Sequence, residues 1–276
     1  MSPGLQFFYS QTQWLYTILW ENPLFFIDYW SFAHFWSGFS MLLIFSALRV
    51  KHKWAVLISL LLAYELLEIL FLWFALHVFR PETLKDQFTD ISIGAAGAFL
   101  CYYSHALIKF NRKNKFWKDF VIPALFVSIS MAFLWVGFYQ YNYNHTFLNF
   151  NGLNLTAFGL WASGGFGYLW IQKKLSDKVN NRIQLYVYSY LVYLAGLFVI
   201  EFIGYHVLII KEMSFPDKAL VLNMIHGNSV LHTYYLLFPV FINLLFISFR
   251  PLFLLAAHHL RMSVSIEETI VVEQYP

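Results

Sequence analysis

Apolar and polar positions in this chain segregate by whole segments rather than by single residues. Seven apolar runs, at roughly 31–49, 54–76, 88–108, 120–139, 153–172, 184–206 and 224–249, are each long enough for a helix that crosses a bilayer, which takes about 20 residues. Ahead of them, "WLYTILWENPLFF" is aromatic and interrupted by Pro23. Trp14, Tyr16 and Trp20 suit anchors at a membrane surface, so the segment 1–30 reads as an interfacial helix lying against the bilayer. After the last run, residues 250–276 read as an amphipathic surface helix followed by a mobile tail. The pattern predicts an all-α fold. It is a polytopic membrane bundle of about seven transmembrane helices, with no linker to divide 1–276 into more than one integral membrane domain.

Composition strengthens this reading. Hydrophobic residues make up 59% of the chain and charged residues only 12%, and mean hydropathy is +0.57. A water-soluble domain with that balance would expose too much apolar surface. The net charge of +3 is small, and the basic residues sit in short clusters between apolar runs rather than in a patch, which argues against nucleic acid as a partner. Numbering the loops alternately places 14 of the 18 basic residues on one side of the membrane and four on the other. The positive-inside rule then puts the N-terminus outside and the C-terminus in the cytoplasm. No Lys or Arg occurs before Arg49, so no cleavable signal peptide is expected. The single cysteine, Cys101, allows no intrachain disulfide. Asn144 and Asn154 each open a glycosylation sequon.

Candidate chemistry lies where acids interrupt the apolar runs. In "AYELLEILFL", Glu65 and Glu68 are three apart and share a helix face. A charged carboxylate at the bilayer centre costs roughly 2.5–3.5 kcal/mol, so such a pair needs a proton, a partner, water or a cation. Asp86 and Asp90, four apart, share a face at the start of the third run. His34 lies near the same side in the first run. Gly38, Gly94 and Gly97 are small residues that let helices approach closely and bring these groups together. The metal-ligand candidates are therefore His34, Glu65, Glu68, Asp86 and Asp90, with Glu65 and Glu68 also the catalytic candidates. The second half carries its own set, Glu201, His206, His226 and His232, whose spacings place them less well on a common face. "GLWASGGFGYLW" lacks the Lys-Ser/Thr of a phosphate loop and reads as close helix packing; no cofactor-binding motif is seen.

Residues 28–108 resemble the VanZ-like group of bacterial membrane proteins, and within it the YjdF-type inner-membrane branch. The matching pieces are "HFWSG" (His34, Gly38), "YELLE" (Tyr64, Glu65, Glu68) and "DQFTDISIGAAGA" (Asp86, Asp90, Gly94, Gly97). That branch carries a Gly-Asp or Trp-Asp step before its last aspartate, where this chain has "LKDQFTD". The resemblance implies a multi-pass protein of a bacterial inner membrane and specifies no reaction.

A polar His/Glu/Asp cluster opening to the non-cytoplasmic side suits a metal-dependent hydrolase of a lipid or lipid-linked substrate. Oxygen-rich ligands with one or two histidines favour Mn, Fe or Zn. Two other readings use the same residues. In a proton-coupled transporter the acids form a relay, and in a scaffold subunit of a membrane complex they pair without chemistry.

Overall fold

A computed structural model describes residues 13–70, 83–110, 116–139, 141–144, 149–150, 153–210 and 229–274. Each of the seven apolar runs contains a helix. The helices are α1 (Tyr29–Ala47), α2 (Lys53–Glu68), α3 (Leu84–Phe110), α4 (Ile122–Tyr139), α5 (Leu155–Ser176), α6 (Arg182–Phe202) and α7 (Ser229–Gln274). Two small antiparallel ribbons accompany them: β1 (Ile18–Glu21) with β2 (Phe26–Asp28), and β3 (Asn149–Phe150) with β4 (Leu153–Asn154).

Three apolar stretches among the described residues are long enough to cross a membrane: Asp119–Gly137, Arg182–Val207 and Leu231–Ala256. In the stretch containing α6 only 6% of the most apolar window is buried within the protein, at a mean hydropathy of 1.8. A helix that apolar and that uncovered needs hydrocarbon around it, which marks a membrane protein.

The N-terminal segment departs from the expected interfacial helix. A single 3-10 turn at Gln13–Tyr16 leads into the β1–β2 hairpin. The side chain of Asn22 accepts hydrogen bonds from the backbone N–H of Leu24 and Phe25, and its own N–H donates to the Phe25 carbonyl. With Pro23 unable to donate a helical hydrogen bond, Asn22 closes a turn instead of a helix. Lys85 Nζ reaches Glu21 Oε1 at 2.6 Å, which ties the hairpin to the start of α3. The C-terminal segment also differs, because α7 continues through Pro251 to Gln274 rather than breaking near 249 into a surface helix and a tail. Proline removes one backbone bond, but Phe253 and Ala256 continue the buried stripe beyond it.

The chain packs as two compact units. The first comprises residues 1–120 and 250–276, and the second 121–249. In the first, α1 lies along α3, with α2 against both. Leu42 and Leu43 of α1, Leu57 and Leu61 of α2, and Ala98 and Cys101 of α3 form its core. Asp28 starts α1 through a capping box: its Oδ1 accepts from the Ser31 N–H at 2.8 Å, and the Ser31 hydroxyl accepts from the Asp28 N–H. Burial, with the nearby charge of Asp86 adding to it, holds the Asp28 carboxyl above the usual carboxylate range. A raised acid contributes most below its unfolded pKa, and that contribution fades as pH rises through the folded value. Asp28→Asn, which keeps the cap, should therefore gain on the wild type in melting temperature as pH rises from about 4 toward neutrality. A parallel pH dependence in both proteins would rule this out.

In the second unit, α4 packs on α5, and Phe238 and Ile242 of α7 are fully buried. The Asn243 amide donates to the Tyr168 hydroxyl at 2.6 Å and to the Pro239 carbonyl at 2.7 Å, joining α7 to α5. Asn154 caps α5 by accepting from the Ala157 N–H at 3.0 Å, and it is only 3% exposed. Its sequon is therefore not presented for modification. Asn154→Ala should cost about 1 kcal/mol in thermal or denaturant unfolding; no measurable loss would show that the cap is dispensable.

Candidate metal centre

The centre begins with two glycines. A Cβ built on Gly38 would lie 1.8 Å from the Gly94 carbonyl oxygen, and one on Gly97 would lie 1.9 Å from the Phe35 carbonyl oxygen. Only glycine permits this backbone-on-backbone crossing of α1 and α3. The crossing sets His34, one turn before Gly38, against Asp90, one turn before Gly94. Helix α2 adds the third group. Leu57, Leu61 and Glu65 recur every four residues on its buried stripe, and Leu61 packs where a Gly94 Cβ would point. The same register that buries two leucines therefore buries the Glu65 carboxylate.

His34, Glu65 and Asp90 come together there, each about 5% exposed. His34 Nδ1 lies 3.8 Å from Glu65 Oε1, and His34 Nε2 lies 3.5 Å from Asp90 Oδ2. One donor atom from each residue falls within 4.8 Å of the other two. The imidazole stands edge-on to the rings of Trp30 and Tyr64, which fix its plane from two sides. His34 Nε2 and both Glu65 oxygens have no hydrogen-bond partner among the described residues.

That arrangement has unmet demand. Neutral imidazole has one N–H and one lone pair, so it can donate to only one of the two carboxylates it faces. Two buried carboxylates around one neutral ring would carry charge at a cost that burial imposes and that contacts of 3.5 and 3.8 Å to the ring do not offset. A divalent cation would satisfy it. Metal–ligand bonds of about 2.0–2.2 Å place ligand atoms about 3–3.5 Å apart, so side-chain rotations of about 1 Å would close the set around one ion.

Two of the five ligand candidates in this half lie outside the buried trio. Asp86 is half-buried and caps α3: the Thr83 N–H donates to its Oδ2 at 3.4 Å, while its own N–H donates to the Thr83 hydroxyl. Its position in the first helical turn explains it as a cap. Glu68, one turn beyond Glu65, is half-buried, and its Oε2 has no hydrogen-bond partner among the described residues. It stands beside the centre, with its carboxylate hydrogen-bonded to Tyr64.

The second set does not assemble in this way. Glu201 accepts a hydrogen bond from the Tyr235 hydroxyl at 2.5 Å. His206 is exposed and lies against the Phe202 ring. His232 is half-buried, with Nε2 unpartnered among the described residues. His226 lies outside the described residues. Among those described, the only group of three or more possible ligands is His34, Glu65 and Asp90.

Sequence reasoning passed over Trp30 as a wall of the centre and Tyr235 as the partner of Glu201. Each is one aromatic among many in a chain that is 21% aromatic, and spacing singles out neither. No family model matches the chain, and neither the curated proteins nor the solved structures contain a match.

Proposed function

We propose that this chain is a metal-dependent membrane hydrolase of a lipid or lipid-linked substrate, with His34, Glu65 and Asp90 holding one Mn, Fe or Zn ion. The observation that carries the reading is the meeting of three buried ionisable side chains from three helices, with His34 Nε2 and both Glu65 oxygens lacking a hydrogen-bond partner among the described residues. Apolar helices would keep the centre within reach of membrane lipids. A bound ion supplies Lewis acidity and lowers the pKa of water at the site. Glu68, next to the trio and not part of it, serves as the general base that takes up the proton. In this reading the seven helices all cross a bacterial inner membrane, with the N-terminus outside and the C-terminus in the cytoplasm. The clustering of basic residues supports that orientation.

Metal analysis of the purified protein tests the site. The wild type should carry close to one ion per chain, and Glu65→Gln should carry almost none. Equal and negligible metal in both would remove the proposal. Glu68→Gln should retain the ion while hydrolysis of lipid in mixed micelles falls by about 10²–10⁴-fold.

The unpartnered Glu65 oxygens also favour a second reading, in which they accept a proton during coupled transport. Proton flux in proteoliposomes that is lost in Glu65→Gln, with no metal bound, would select it.

A further inference from the structure

A cavity of about 240 Å³ lies in the second unit between α5, α6 and the start of α7. Its volume is below the roughly 300–1,000 Å³ of pockets for drug-sized ligands. Five tyrosines, Trp161 and Phe238 line it, and among the described lining residues Glu201 alone carries a formal charge. Several polar tips of this wall are engaged in hydrogen bonds. Trp161 Nε1 donates to the Tyr141 hydroxyl at 2.8 Å, Tyr193 donates to the Tyr235 carbonyl at 3.0 Å, and Tyr235 donates to Glu201. The rings can therefore offer the cavity their carbon surfaces, with one carboxylate held among them.

The other part of the wall is smooth. Gly164 and Gly167 of α5 and Gly196 of α6 line the cavity, and a Cβ on any of them would meet nothing within 4 Å. Gly164 and Gly167 do not serve the close helix packing that the sequence suggested for the α5 glycines; of that set, Gly165 alone packs, against Ile242, Phe238 and Ser128. Gly164, Gly167 and Gly196 open a furrow walled further by Leu160, Leu197 and Ile200.

We propose that this cavity binds an ammonium-bearing amphiphile, with the cation against Glu201 and the tyrosine rings and the hydrocarbon in the glycine-lined furrow. Aromatic faces attract ammonium groups, and the single carboxylate selects a cation over an anion. The furrow suits a slender alkyl chain. The cavity is built wholly from residues of the second unit, and the proposal does not depend on the metal reading. The ammonium could come from the headgroup of an ethanolamine phospholipid or from a free small amine.

The test uses the full chain in nanodiscs of equal ethanolamine and glycerol phospholipid, with retained lipid read by native mass spectrometry. The wild type should retain the ethanolamine lipid at least about tenfold over the glycerol lipid. Glu201→Gln, which preserves an acceptor for Tyr235, should erase that preference. Gly196→Leu, whose Cβ would meet nothing within 4 Å, should fill the furrow and lower the retention of the ethanolamine lipid. A second arm titrates ethanolammonium chloride into protein in discs of glycerol phospholipid alone and follows tryptophan fluorescence, because Trp161 lines the cavity. A response there that is lost in Glu201→Gln, without any lipid preference, assigns the site to free amines. A preference that survives both substitutions, or no preference together with no fluorescence response, overturns the proposal.

Discussion

Alanine at Gly97 is expected to destabilise the first unit by about 3 kcal/mol or more, and alanine at Gly38 by a similar amount. The new methyl group would lie within 2 Å of a backbone carbonyl oxygen in both cases. A backbone atom cannot rotate away as a side chain can, so α1 and α3 would have to separate along their shared face. Gly94→Ala is the internal control. Its Cβ would meet the Leu61 methyl groups at 3.0 and 3.2 Å, which a small side-chain shift relieves. Thermal unfolding of the three variants in detergent should rank Gly94→Ala well above the other two. Equal melting temperatures for all three would mean that the helices do not cross as described. Separating α1 from α3 would also pull His34 from Asp90, so metal content should fall with stability in Gly38→Ala and Gly97→Ala.

The ranking within this glycine set also shows how far the sequence could be read. The small residues near His34 and Asp90 signalled a close crossing because lipid supplies no hydrophobic force between helices, and packing falls to residues without side chains. Glu65 was legible for a related reason: an acid in an apolar run has few places to go, and burial against other polar groups is the least costly. Gly164 and Gly167 of α5 looked the same in sequence and do a different job. Whether a small residue closes a contact or opens a furrow depends on what stands opposite, which spacing along one helix does not encode. Asp86 and Asp90 share a helix face, yet only Asp90 joins the centre. Asp86 falls in the first turn, where local backbone donors hold it before any distant partner can. The β1–β2 hairpin was hidden by its aromatic content, which suits an interfacial helix equally well. The decisive residue was Asn22, whose short side chain binds the two N–H groups that follow Pro23.

Addition of Mn or Zn to chelator-treated protein is expected to raise its stability by about 2.7 kcal/mol at a free ion concentration a hundred times the dissociation constant. The response should vanish in His34→Ala, Glu65→Gln and Asp90→Asn. The metal-free forms make the sharper comparison. Without an ion, Glu65 is an acid buried beside His34 and Asp90 with neither oxygen hydrogen-bonded among the described residues, so removing its charge relieves repulsion rather than breaking a hydrogen bond. Metal-free Glu65→Gln should therefore melt at or above metal-free wild type, while the metal-loaded order reverses. A structural ion pair predicts the opposite, because losing a partner would destabilise the protein with or without metal. Asp86→Ala separates the centre from its surroundings: it should lower stability by about 1 kcal/mol through loss of the α3 cap and leave the metal response intact. A proton in place of the ion has its own signature. Glu65→Gln mimics the protonated acid, so equal stability of Glu65→Gln and wild type, with neither responding to metal, would show that the carboxylate is held neutral by a proton, and the hydrolytic reading would fall with the metal.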